Sequence, residues 1–148
     1  VPYAVLPASS DCAGLTANLR ILSVAFAAGI NVVPYRFRPT FNKHAGRLCA
    51  GLQIHVDDPA YGHGQFRPWR LMALAFKALR ALQPGYDLWR NFPYEYEHDR
   101  LAIDLINGSE LLRQWVDDPE AAPADLDGMT AMDEEAWLAE REPFLLYR

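Results

Sequence analysis

Cysteine and long apolar runs are both scarce in this chain, and their scarcity excludes several classes of protein. The 148 residues include two cysteines, too few for the disulfide framework of a small secreted domain. Neither Cys12 nor Cys49 lies in a Cys-x-x-Cys motif, so we expect two unpaired thiols and no zinc or redox site. The longest apolar stretch, residues 21–30, is interrupted by Ser23 and Gly29 and is too short for a membrane span, which predicts a buried helix and no membrane partner.

Basic side chains are scarce in the second part of the chain. The net charge is −5, but residues 1–90 carry ten Lys/Arg against four Asp/Glu, whereas residues 91–148 carry four against fifteen. Such asymmetry can mark a face for nucleic acid or an acidic partner. The basic residues form no run and are not interleaved with aromatic residues, so we expect no nucleic-acid partner. We expect the two parts to pack together and complement each other.

A secretory signal and an initiator methionine are also absent. Val1-Pro2-Tyr3 has no basic n-region, and the missing Met suggests a processed product or a domain cut from something longer. Hydrophobic residues make up 51% and charged residues 22% of the chain, values typical of a globular domain. The length and the pattern of elements predict a single α+β domain over residues 1–148, with helices packed on a small, mainly antiparallel sheet.

Helical periodicity is clearest in two segments, Leu15 to Ala28 and Pro68 to Leu82. The second also carries a basic stripe that we expect to be solvated. The members of that stripe are Arg70, Lys77 and Arg80. Further on, Ser109 is a good N-cap for a short helix through Val116.

The end of the chain is predicted to form a loop, a helix and a docked tail. Residues Glu120 to Gly128 are rich in Ala, Pro and Asp and indicate a loop. Thr130 with Asp133 opens a last helix, which Pro143 ends. Residues Phe144 to Tyr147 are too apolar for a free tail, so we expect them to dock on the domain.

Two strands are predicted, and the second has chemically different faces. Asn31 to Arg38 is rich in Val, Tyr and Phe, and Pro34 places it at a sheet edge. Strict alternation of apolar and polar residues after Gly51 predicts the second strand. Its apolar members, expected to be buried, are Leu52, Ile54 and Val56. Its polar members, Gln53 and His55, are expected to line a concave surface.

Lys43-His44 and Gly46, just upstream, indicate a tight loop that carries a cation and a titratable base. With Gln53 and His55 they suit a polar ligand such as a sugar or an acid. The chain's histidines have no metal-ligand spacing, so no metal site is predicted. These histidines are His44, His55, His63 and His98.

The segment Tyr94 to Asp99 is a second dense cluster of polar and aromatic residues. Predicted as extended, it places Glu95 and Glu97 on one face, opposite the two tyrosines. A pair of carboxylates is what glycoside hydrolysis requires, one as acid and one as base or nucleophile. The alternative is a solvated acidic edge with the tyrosines packed beneath it.

Taken together, these motifs resemble the C-terminal region of the NamZ-like exo-β-N-acetylmuramidases, a bacterial family. The resemblance covers about Tyr35 to Arg148, and residues 1–34 carry no matching motif. The motifs that carry it are Pro39-Thr40-Phe41-Asn42-Lys43-His44-Ala45-Gly46, Cys49-Ala50-Gly51-Leu52-Gln53-Ile54-His55-Val56, Phe66-Arg67-Pro68, Tyr94-Glu95-Tyr96-Glu97, Ile103-Asp104-Leu105, Gly108-Ser109 and Pro143-Phe144-Leu145-Leu146-Tyr147.

The resemblance implies that this chain is the cap of a two-part glycoside hydrolase. A Rossmann-like domain would precede it and carry most of the catalytic apparatus, and a peptidoglycan-derived muramic acid saccharide would bind between the two, with no cofactor. The resemblance favours the cell envelope or a secreted location in a bacterium over the cytoplasm. No catalytic residue is assigned to this chain. The substrate-binding candidates are Lys43, His44, Gln53, His55, Tyr94, Glu95 and Glu97.

By their chemistry, Lys43 and His44 would face the lactyl carboxylate or the N-acetyl group, and Gln53 and His55 the hydroxyls. A function of another class stays open: a non-catalytic carbohydrate-binding or protein-interaction module that uses the same polar strand face. The two functions differ in whether this polypeptide by itself releases N-acetylmuramic acid.

Overall fold

The chain has an α+β fold in which helices pack on a small antiparallel sheet, as predicted. The structure, a computed structural model, describes residues 5–6, 30–41, 44–57, 59 and 61–147. The sheet has the strand order β1-β3-β2. Its strands are β1 (Val5–Leu6), β2 (Asn31–Phe37) and β3 (Cys49–His55). The predicted helix at Leu15 to Ala28 lies outside the described residues.

The described helices follow the sheet in the chain. They are α1 (Pro68–Leu82), α2 (Ala102–Asn107), α3 (Leu111–Asp117) and α4 (Pro123–Arg141), and a short 3-10 helix, Glu142–Phe144, comes after α4. None of the helices in the described part of the chain is long and apolar enough to cross a membrane. The bounds of α1 are those predicted, because Pro68 supplies the fixed φ of a first helical turn and Pro84-Gly85 follows its last turn.

Strands β2 and β3 pair antiparallel over their full lengths, from Asn31 opposite His55 to Phe37 opposite Cys49. β2 lies at the sheet edge, as Pro34 predicts. Leu52 is buried and belongs to the core cluster that also contains residues of α1. Val32 packs against this cluster. Of the three residues predicted to be buried, Ile54 is only half-buried and Val56 is exposed. The prediction is wrong for Val56 because β3 ends at His55.

The core is formed by one face of α1 together with side chains from α3 and α4. The buried residues of α1 include Leu71, Leu74, Ala75 and Ala78. Trp115 and Val116 of α3 and Leu126 of α4 complete the same cluster. Cys49 is a free, buried thiol, as expected for it, and Cys12 lies outside the described residues.

The basic stripe of α1 is not solvated, contrary to expectation. Arg70 donates two hydrogen bonds to the carboxylate of Asp127, and Arg80 Nε donates to Asp117 Oδ1 at 2.8 Å. Lys77 Nζ donates to the carbonyl oxygen of Trp115 at 2.7 Å. These partners lie 37 to 57 residues away in the chain, so the stripe docks α1 on α3 and α4. The basic and acidic parts of the sequence complement each other at these contacts.

In the second half of the chain one helix was missed and two predictions are wrong. α2 was not predicted, because six residues are too few to show a helical period. Ser109 does not cap α3, which begins at Leu111 without a side-chain cap; its hydroxyl lies 3.4 Å from the amide nitrogen of Asn107. α4 begins at Pro123 inside the predicted loop, since the Asp125 carboxylate accepts a hydrogen bond from the Ala122 backbone N–H at 2.7 Å.

The tail was also predicted wrongly. The side chains of Phe144 to Tyr147 are exposed, so they do not dock on the described part of this chain.

α2 and α3 are joined by a bidentate ion pair. Arg113 Nε and Nη2 donate to the Asp104 carboxylate at 2.9 to 3.1 Å. The Asp104 side chain is 6% exposed, whereas the carboxylate of Asp127, which also holds an arginine, is 50% exposed. Without the Asp104 charge, Arg113 keeps only the weaker pairing with the more exposed Glu110 carboxylate, 3.2 Å away, and the buried side of the pair loses its compensation.

We predict that Asp104→Asn lowers the free energy of unfolding by about 2–4 kcal/mol. The matched control is Asp127→Asn, which neutralises a half-exposed carboxylate in an arginine pair of the same chemistry and should cost less than about 1 kcal/mol. Urea denaturation of both variants measures the difference. Equal losses would contradict the role of burial.

Candidate functional site

The hairpin of β2 and β3 presents a mixed polar and aromatic face. Because residues directly opposite each other in an antiparallel pair point to the same side, Gln53 lies beside Val33 and His55 beside Asn31. Gln53 and His55 are half-buried, so their side chains still reach solvent. This hairpin face is opposite the face that carries Leu52 to the core.

The same face contains two residues that the sequence analysis did not single out, Asn31 and Tyr35. Tyr35 is half exposed, lies opposite Gly51, and stacks on Phe37 with ring centroids 6.2 Å apart. With no side chain on Gly51, the diagonal neighbours of Tyr35 on β3 are Cys49 and Gln53. The signal was present in the sequence: the alternation of Asn31, Val33 and Tyr35 becomes informative once the strand register is known.

The loop between β2 and β3 is tightly folded around His44. His44 has a φ of 61° and Gly46 a φ of 73°, both in the left-handed region, which favours glycine. The Gly46 N–H donates to the Pro39 carbonyl at 2.8 Å and the Arg47 N–H to the His44 carbonyl at 3.0 Å. His44 is exposed, and Lys43 lies outside the described residues. The predicted tight loop is therefore present, with His44 on its surface.

The loop and His55 lie at opposite ends of β3. The loop enters the strand at Cys49, and His55 is its last residue, six residue steps away, which corresponds to about 20 Å. That length exceeds one sugar ring. His44 and His55 therefore stand at two separate points along the hairpin, and Gln53 lies near the His55 end.

The segment from Tyr94 to Glu97 is a tight turn and not the predicted extended strand. Tyr94 and Glu97 exchange two backbone hydrogen bonds, of 3.2 and 3.1 Å, and Glu95 closes the turn with a φ of 53°. Tyr96, at the tip, is 96% exposed. Because the chain reverses here, Glu95 and Glu97 do not share a strand face. The geometric argument for a carboxylate pair therefore fails.

The Glu97 carboxylate is fully engaged within this turn. One oxygen accepts the backbone N–H groups of His98 and Asp99, at 3.2 and 3.0 Å. The other accepts Arg100 Nε and Nη2, at 3.2 and 3.0 Å. The Asp99 N–H, followed by the Arg100 guanidinium, holds the pKa of Glu97 below its ordinary value. A carboxylate in this environment stays ionised and is not a proton donor at neutral pH.

In the part of the chain that the structure describes, histidine, cysteine and carboxylate side chains do not cluster as metal ligands. Within the described residues there is no group of three or more that is placed to hold an ion. His63 makes an edge contact with the Tyr61 ring, with centroids 4.6 Å apart. What the described site offers is therefore hydrogen bonding and aromatic contact along an open hairpin face.

Comparison with known proteins identifies the family. A family model described as exo-beta-N-acetylmuramidase NamZ, C-terminal, matches residues 10–147. The chain belongs to this family. The match begins upstream of Tyr35, where the resembling motifs start, and so it also takes in most of the N-terminal residues. No curated protein matches the chain.

One solved structure shares the fold. It is the crystal structure of a DUF1343 family protein from Bacteroides fragilis, which is similar to 99% of this chain at 16% sequence identity, with a TM-score of 0.57. At this identity the likeness concerns the fold alone. The matched region is 35% of that protein's chain, so this NamZ C-terminal region spans about a third of its length.

We predict that Glu97 titrates below the ordinary range of a glutamate. Its folded pKa is lower than its unfolded value, so its contribution to stability is complete above the unfolded pKa and is lost as the pH falls through the folded pKa. Carbon-13 NMR of the side-chain carboxylates measures the titration. In Arg100→Gln the pKa of Glu97 should rise towards the ordinary value, whereas the nearby control Arg90→Gln should leave it in place. A Glu97 pKa near neutrality would contradict this assignment.

Proposed function

We propose that this chain is the C-terminal part of an exo-β-N-acetylmuramidase acting on peptidoglycan-derived muramic acid saccharides, and that it supplies substrate contacts. The family match over residues 10–147 carries the proposal. On this proposal the catalytic acid and base come from a preceding Rossmann-like domain, and the sugar binds between that domain and the hairpin face.

The ionisation of the acidic side chains supports the assignment of the catalytic acid and base to another domain. Where an acid in the described residues has a clearly shifted pKa, as for Glu97 and Asp127, the shift is downward, mainly because of the Asp99 N–H in the first case and Arg70 in the second. The proton donor of a glycosidase needs a raised pKa, which burial or a second carboxylate provides. Neither acid has that environment, so both are assigned here to structure.

The hairpin face provides the groups that a saccharide needs. The Gln53 amide and the His55 imidazole donate to or accept from ring hydroxyls, and the Tyr35 ring offers an apolar surface beside them. His44, at the other end of β3, would meet a different sugar unit or the other domain; Lys43, its sequence neighbour, is proposed for the lactyl carboxylate. Tyr94 and Glu95 stay candidates at the turn, and Glu97 contributes by holding that turn in place.

The same observations favour a second candidate, a non-catalytic carbohydrate-binding or interaction module. The engaged Glu97 carboxylate and the open hairpin face would suit binding without turnover. Assay of the 148-residue chain and of the product of its complete reading frame against a chromogenic N-acetylmuramide separates the candidates. We expect the longer product to release N-acetylmuramic acid and the chain alone to release none. Release by the chain alone would refute the assignment of the catalytic groups to a preceding domain. If neither polypeptide releases N-acetylmuramic acid, the non-catalytic module is the remaining candidate.

We predict that His55→Ala weakens the binding of N-acetylmuramic acid to the chain by about tenfold, because one to two hydrogen bonds are lost. The matched control is His63→Ala, which removes the same side chain from the exposed loop at Gly62-His63-Gly64. NMR chemical-shift titration measures both affinities and maps the contact to Gln53 and its neighbours. Equal affinities for the two variants would exclude His55 from the site.

A further inference from the structure

The end of the chain exposes an unusual amount of large apolar surface. Trp137 and Leu138 on α4 are 58% and 53% exposed, and Phe144, Leu146 and Tyr147 after it are 79%, 88% and 89% exposed. We call these five residues the terminal apolar surface; Met132, although 74% exposed, lies about 140° away from Trp137 around α4 and is not part of it. Several neighbouring apolar side chains at such exposure mark an interaction site.

The terminal apolar surface begins where α4 leaves the core. Leu126 is fully buried, and Thr130 Oγ1 donates to the Leu126 carbonyl at 3.1 Å. Trp137 follows Leu126 by eleven residues and so lies on the same helical face. Every residue from 131 to 141 is nevertheless exposed, a length of about 16 Å. An isolated helix of this length is marginal in water, so we infer that a partner packs on this half of α4.

Charge restricts what that partner is. Acidic side chains surround the terminal apolar surface, and Arg141 is the one basic residue of α4. The exposed acids are Asp133, Glu134, Glu135 and Glu140. Two copies meeting through this surface would bring like charges together. An anionic lipid surface would be repelled in the same way. A partner with an apolar centre and a basic rim fits.

The comparisons indicate where such a partner is found. The similar solved structure is a chain of which this fold makes up 35%, so a protein of that kind has a large further region in the same polypeptide. Tryptophan and tyrosine are the side chains most often found at the centre of tight interfaces. We propose that the terminal apolar surface docks on the rest of a longer polypeptide, on an apolar patch with a basic rim. This rests on the proposed function for the existence of that longer polypeptide.

Hydrogen exchange tests the docking directly. Exchange of residues 131–147 is measured by mass spectrometry in the 148-residue chain and in the product of its complete reading frame. We expect exchange in this segment to slow by at least about tenfold in the longer product. Equal exchange overturns the proposal, as does a reading frame with no further region. Slow exchange already present in the 148-residue chain also overturns it, whether from a second copy or from the chain's own residues.

A pair of matched variants tests the surface itself. Leu138 and Leu111 are equally exposed, at 53% and 54%, but Leu111 lies on α3, outside the terminal apolar surface. In the longer product, Leu138→Ser should remove the protection of residues 131–147 and Leu111→Ser should not. Both variants should leave the circular dichroism of the 148-residue chain unchanged. Equal effects of the two variants on protection overturn the proposal.

The hydrolysis assay keeps the two proposals apart. A longer product that is protected at residues 131–147 but inactive supports the docking while the muramidase function fails. An active product without this protection retains the function and overturns the docking.

Discussion

The helical part of this structure depends on the contact of Lys77 with the C-terminal end of α3. The Lys77 ammonium donates to the carbonyls of Trp115 and Asp118 and lies 4.9 Å from the centroid of the Trp115 ring. The last carbonyls of a helix have no partner within the helix and carry its negative dipole end. Burial lowers the pKa of Lys77, and the contact persists because the carbonyls and nearby acids compensate the charge.

With α3 held in this way, the segment that follows α1 is fixed as well. Asp117, at the end of α3, accepts hydrogen bonds from both Arg80 and the Trp89 indole, each at 2.8 Å. The Trp89 ring in turn packs edge-on against Phe76, with centroids 5.7 Å apart. The chain therefore leaves Trp89 in a defined direction towards the turn at Tyr94 to Glu97. The ion pairs of this region serve to position elements, which is why its carboxylates are poor candidates for proton transfer.

Local sequence predicted those parts of the fold whose causes are local. The bounds of α1 follow from the prolines at both ends, and the pairing strands follow from alternation. The solvated stripe was wrong because the partners of Arg70 and its neighbours are distant in sequence. Glu95 was wrongly predicted to be extended, because its left-handed φ is typical of glycine or asparagine and not of glutamate. For the candidate site, Gln53 and His55 were placed on one face correctly, whereas Asn31 and Tyr35 needed the register of the hairpin.

On the two proposals, the hairpin face and the terminal apolar surface act together, because a docked domain would exclude water from the sugar site. Hydrogen bonds from Gln53 and His55 to a sugar compete with water while the hairpin face is open, so each contributes only about 0.5–1.5 kcal/mol of net free energy. A domain that covers this face excludes water and strengthens those bonds. The same domain would gain its attachment from the terminal apolar surface, at the other end of the chain. Domain contact and sugar binding would then favour each other, and by thermodynamic linkage the sugar would strengthen the domain contact as much as the contact strengthens sugar binding.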